Sequence, residues 1–157
     1  MCIRDRVSNF ATDSRVKSIT DDPTACQYVT KELQLESAAS SIKIILSGHT
    51  NPHAKIRAFY AVGNDPGFEP IFTPFPGFDN LNTRGEMIAK QKSDGLPDRF
   101  SIPSNQYGFG DNATFKEFTF TADKLPTFRY YRIKLLLTST SQVFVPKVKD
   151  LRVMALA

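Results

Sequence analysis

The sequence predicts an all-β protein, an antiparallel two-sheet β-sandwich of jelly-roll type. Three observations carry that prediction. Apolar and polar residues alternate at period two over several stretches, as half-buried strands require. Turn-forming residues separate those stretches, and no strand–helix–strand alternation calls for a parallel sheet. The aromatic content is 13 Phe and 5 Tyr with no Trp, which favours strands. A chain of 157 residues suits one domain. A domain of that size buries about 68–70% of its unfolded surface, so neither disulfides nor metals are needed for stability.

Residues 1–25 read as an irregular N-terminal segment and 26–157 as the sandwich domain. The opening hexapeptide, MCIRDR, resembles a translated sequencing adaptor of metagenomic assemblies. Residues 1–6 are then expected to be artefactual and the chain to be the C-terminal part of something longer. No apolar h-region follows, so no signal peptide is expected.

The first strand is expected from Tyr28 to Leu35, with Val29, Leu33 and Leu35 on one parity and Lys31 as the exception. Glu36–Ser40 reads as a polar connection to a second strand, in which Ile42, Ile44 and Leu46 face inward. A turn at 49–53 leads to Ala54–Val62, where Ile56, Ala58, Tyr60 and Val62 oppose Lys55 and Arg57. Residues 63–113 hold most of the Gly and Pro, a density that forbids long regular elements. That stretch is expected to be a long functional loop or a set of short, irregular strands, with at most one short helix, at Thr83–Lys92. Strands return at Phe115–Phe120 and at Arg129–Thr138, where Tyr131, Ile133, Leu135 and Leu137 oppose Arg132 and Lys134. Val143–Val145 reads as a short edge piece stopped by Pro146, which has no N–H for a ladder. The last strand is expected at Asp150–Leu156 with Leu151, Val153 and Ala155 inward, and Ala157 as a natural terminus.

Chemistry-bearing patterns are sparse. His49 and His53 are separated by Asn51-Pro52, which breaks the helix that could have aligned them on a metal. No nucleophile elbow, phosphate loop or dinucleotide fingerprint is present. Asp94 with Asp98 and Asp65 with Glu69 read as turn formers rather than acid–base pairs. Asp79, Asp94, Asp98 and Asp111 lack the dense spacing of a calcium loop. Cys2 and Cys26 make neither a disulfide framework nor a metal knuckle. No catalytic, cofactor-binding or metal residues are therefore expected, and the chain is not read as an enzyme. The net charge is +4. Dropping residues 1–6 takes away two positive charges and one negative, leaving +3. Lys and Arg are spread along the chain, so no nucleic-acid partner is expected. No apolar run approaches the roughly 20 residues of a membrane span, so no membrane partner is expected either.

One segment stands out. Phe68, Phe72, Phe75 and Phe78 alternate with Pro70, Pro74 and Pro76. Either these rings cover one end of the core, or they form a protein-contact loop. Aromatic anchors on pre-ordered backbone lose little entropy on binding.

Two resemblances add to this reading. Lys31–Leu35, Ser41–Leu46, Ala54–Tyr60, Tyr130–Leu135 and Asp150–Val153 together resemble galactose-binding-like jelly rolls at the level of fold. Ile56–Tyr60, Pro74–Leu81 and the closing Thr138–Ala157 are similar to C-terminal regions of large virion proteins of marine, cyanophage-like tailed phages. That second resemblance covers residues 26–157. It implies a non-enzymatic structural part of a tail or baseplate, located in the virion. Its partners would be other virion proteins, with self-association among them. The alternative is a carbohydrate-binding module for host-surface glycan, with Tyr107 and Tyr130 as candidate platforms.

Overall fold

The computed structural model describes residues 17–20, 22, 26–50, 54–76, 95–98, 115–139, 143 and 145–157. Eight strands run through them: β1 Gln27–Val29, β2 Leu33–Ala39, β3 Ser41–His49, β4 Ala54–Gly63, β5 Thr73–Pro74, β6 Lys116–Ala122, β7 Phe128–Ser139 and β8 Lys147–Leu156. Every pairing is antiparallel. A five-stranded sheet has the order β1-β7-β4-β5, with β2 also paired to β7. A three-stranded sheet has the order β6-β3-β8. The chain is thus an all-β sandwich of two antiparallel sheets. No α-helix occurs among the described residues, and the expected helix at Thr83–Lys92 lies outside them.

Four strand assignments differ from the sequence reading. The strand expected over Tyr28–Leu35 is two strands. Between them Thr30 replaces the ladder: its N–H donates to Ile133 O at 2.9 Å, and its Oγ1 accepts the Ile133 N–H at 2.9 Å. The parity exception at Lys31 is that interruption. The polar connection expected at Glu36–Ser40 is mostly strand. β2 continues to Ala39 through a register shift between Gln34 and Ala39, and Ser40 then leads into β3 on the other sheet. The strand expected at Val143–Val145 is not one. Neither Val143 nor Val145 is in a strand, and Pro146 directly precedes β8. β8 starts three residues before the expected Asp150 because of a bulge. Ser47 pairs with Asp150 but Gly48 with Val148, which leaves Lys149 as the extra residue. The bulge puts Val148 and Leu151 on one face and so hides the alternation.

The main core lies between the sheets. Ile42, Ile44 and Leu46 of β3 and Phe118 and Phe120 of β6 meet Ile56 and Ala58 of β4 and Ile133 and Leu135 of β7. Fully burying each of these larger side chains contributes about 1.5–3 kcal/mol. Phe75 joins the two layers. Its ring makes edge contacts with Tyr60 at 5.0 Å and with Phe120 at 6.1 Å between centroids. A second, smaller core lies on the other side of the five-stranded sheet, where Phe59, Ala61, Leu136 and Phe72 are buried with Ile19, Val29 and Phe68 against them. The five-stranded sheet is therefore covered on both faces. Residues 17–20 and 22, read from sequence as part of an irregular N-terminal segment, lie on that outer layer: Lys17 O accepts the Phe72 N–H at 2.9 Å.

One side of the sandwich is strapped. Gly95 O accepts from Ala58 N–H at 2.8 Å and Gly95 N–H donates to Phe75 O at 2.8 Å, on the five-stranded sheet. Three residues later Asp98 N–H donates to Thr119 O at 2.7 Å, on edge strand β6 of the other sheet. Gly95 has φ +73°, and a Cβ there would lie 3.0 Å from Ala58 O. Only glycine makes this close passage without strain.

Candidate functional site

The Phe/Pro segment is mostly interior. Phe72 and Phe75 are fully buried, one in each core. The cause is the β5 pairing, which sets Pro74 opposite Phe59 and Thr73 opposite Tyr60 and turns the flanking rings inward. Phe68 is half-buried, its ring against the backbone of Gly63, where any Cβ would meet it at 2.4 Å. Phe78 lies outside the described residues. Phe72 and Phe75 thus present no ring to a partner in this conformation. The apolar side chain that the segment does expose is Ile71, at 68%.

A charged group sits under the same segment. Lys134, in the middle of β7, is completely buried on the outer face of the five-stranded sheet. Its ammonium is ion-paired with Asp22, donates to Ser18 O at 3.0 Å and lies 5.2 Å from the centre of the Phe72 ring. A buried cation needs such partners, because its desolvation costs several kcal/mol. Arg132, two residues away on the same face, has a buried Nε with no hydrogen-bond partner among the described residues. The sequence assigned both cations to a solvated face. The signal against that was Phe59, Ala61 and Leu136, apolar residues on the parity taken as polar.

The acidic candidates separate. Asp98 sits against β6 and accepts the Thr121 hydroxyl on Oδ2 at 2.7 Å. Burial raises its carboxyl above the ordinary value, against the opposing effects of the Thr121 hydroxyl and the Lys43 charge. Asp94 lies outside the described residues, and Asp65 and Glu69 are both exposed near a turn. That turn is tied down by Glu32, whose two carboxylate oxygens accept the Gly67 N–H at 3.0 and 3.1 Å. His49 ends β3, half-buried, and His53 lies outside the described residues. Among the described residues no group of three or more His, Cys, Asp and Glu could hold a metal ion. Tyr130 is half-buried in β7, and Tyr107 lies outside the described residues.

The remaining feature is the side opposite the strap. There β8 is the edge of the three-stranded sheet, facing β1 and β7 of the other sheet. The two sheets do not close at this side. A cleft of about 280 Å³ opens between Tyr28, Leu135 and Leu137 on one sheet and Val148 to Leu151 on the other. Tyr28 is 53% exposed at its mouth, and along β8 Met154 and Leu156 are 40% and 55% exposed. Sequence reasoning missed this site. The inward parity of Leu151, Val153 and Ala155 marked a core strand, and nothing in that parity distinguishes a central strand from an edge.

No protein-family model matches the chain, and neither does any curated protein or any solved structure.

Proposed function

We propose that this chain is a non-enzymatic structural module that works through protein–protein contacts, as part of the tail or baseplate of a phage virion. The virion assignment rests on the resemblance of residues 26–157 to tail and baseplate proteins. The contact role rests on one structural observation, the open edge at β8. An apolar cleft and exposed Tyr28, Met154 and Leu156 lie beside an edge strand that pairs only with β3 among the described residues. Large exposed apolar groups beside an unpaired strand edge mark surfaces where another chain adds on.

Mass spectrometry of purified phage particles tests the reading. Peptides from residues 26–157 at a constant ratio to other tail proteins are the expected result. Particles that lack the chain while the host lysate contains it would overturn the assignment. A glycan array run with the same protein separates the carbohydrate alternative. Millimolar or tighter binding to a surface glycan would favour that alternative instead.

A further inference from the structure

We infer that the occupant of the open edge is a second copy of this chain, paired antiparallel along β8 about a two-fold axis through Leu151. The inference rests on the contact role proposed above and names the partner. Its basis is the charge and parity pattern of β8.

Edge strands are commonly guarded by lysines and bulges. The first part of β8 has both, with Lys147, Lys149 and the bulge at Lys149. Lys149 also turns its ammonium over the Phe115 ring, 5.9 Å from its centre. From Asp150 to Leu156 the ladder to β3 is regular, so the guard ends at Asp150. Leu151, Val153 and Ala155 belong to the interior face and Asp150, Arg152, Met154 and Leu156 to the exterior.

A symmetric antiparallel pair sets each residue opposite one residue of the copy, and interior must face interior. The axis therefore passes through a residue. An axis through Asp150 sets two aspartates opposite each other, and one through Arg152 sets two arginines together. Like charges directly opposite are destabilising. An axis through Val153 pairs no charges and offers the cleft only Ala155 opposite Leu151. The axis through Leu151 differs on both counts. Asp150 of each copy faces Arg152 of the other, extending the Asp150–Arg152 contact already present at 3.0 Å within one chain. The same register sets Leu151 of the second copy opposite Leu151, which lines the cleft. One register thus satisfies the charges and fills the open side next to Tyr28.

Sedimentation velocity over a wide concentration range provides the first measurement, with circular dichroism to confirm that each variant is folded. A reversible dimer is expected for the unaltered chain. Asp150→Arg and Arg152→Asp should each weaken it about tenfold or more, since each reversal converts two favourable pairs into two like-charge pairs. The double reversal, Asp150→Arg with Arg152→Asp, should restore it. The register is read separately, in a Cys2→Ser and Cys26→Ser background. Leu151→Cys should cross-link to its own copy under mild oxidation or with a short bismaleimide, and Val153→Cys should not. The inference is overturned by a chain that stays monomeric throughout, by a dimer that ignores the single reversals, or by cross-linking at Val153→Cys instead of Leu151→Cys. A monomeric chain still found in particles would remove the self-pairing and leave the assembly role standing. A dimeric chain absent from particles would do the reverse.

Discussion

Lys134 shows how one residue can invert a face. Its parity on β7 marks it as solvent-facing, yet it is buried because Ser18, Asp22 and Phe72 lie across it. The pairing with Asp22 makes the two side chains unequal targets for mutation. Asp22→Ala leaves a buried ammonium without its carboxylate and should cost about 3–5 kcal/mol in urea unfolding. Adding Lys134→Met removes the stranded charge and supplies an apolar side chain of similar length, so the double variant should recover most of that loss. A double variant no more stable than Asp22→Ala alone would show that the charge pair is not what the segment provides. Asp98 makes a different prediction, in pH. Burial raises its carboxyl in the folded state, so the folded chain holds that proton more tightly than the unfolded one. Its contribution to stability is therefore most favourable in acid. It declines as pH rises from the ordinary carboxylate range through the raised folded value, and stays lower above it. Asp98→Asn keeps an oxygen for the Thr121 hydroxyl and has no charge to desolvate. Its melting temperature relative to the unaltered chain should be higher at neutral pH than in acid. A difference that is flat with pH, or of opposite slope, would contradict the assignment.

At the scale of elements, period-two alternation located most of the strands, and the failures cluster where the ladder breaks. β3, β4, β6 and β7 lie close to where Ile42–Leu46, Ala54–Val62, Phe115–Phe120 and Arg129–Thr138 placed them. β1 and β2 merged in the sequence because the Thr30 hydroxyl substitutes for a backbone carbonyl, and a side-chain hydrogen bond leaves no periodic trace. The start of β8 was lost because the extra residue at Lys149 shifts parity by one. The strap at 95–98 was not legible at all. Its contacts with Ala58, Phe75 and Thr119 join segments far apart in sequence, and a single glycine signals only a turn. The strap nevertheless depends on that glycine. Gly95→Ala should destabilise the fold by about 1–2 kcal/mol, the cost of a left-handed backbone for a residue with Cβ. The contact at 3.0 Å with Ala58 O adds to this, since backbone cannot easily give way. Gly67→Ala provides the control. It has φ +72° with nothing within 4 Å, so it should show the conformational cost without the steric one. Chemical denaturation of the two variants measures the difference. Equal losses would mean that the strap tolerates displacement.

For the whole molecule, the sandwich is closed unequally. The strap crosses one side, the cleft opens the other, and the outer face of the five-stranded sheet is covered by Phe68 and Phe72 together with residues that sequence reasoning left outside the domain. A boundary drawn at residue 26 follows the onset of alternation, but packing does not respect that onset. Cutting there removes Ile19 from the second core, Lys17 O from the Phe72 N–H, and both Ser18 O and Asp22 from Lys134. The resulting 26–157 chain would expose part of Phe59, Phe72 and Leu136 and open the Lys134 ammonium to water. The 17–157 chain retains every one of these contacts. Comparing the two is thus a direct measurement of what the N-terminal segment contributes. The longer chain is the reference for the comparison. The shorter one should unfold at a lower urea midpoint, through the apolar area it uncovers, and bind a hydrophobic dye in the absence of denaturant. Equal midpoints for the two truncated chains would show that the sandwich is complete from Cys26 onward. The outer layer would then be a passive covering rather than part of the folding unit.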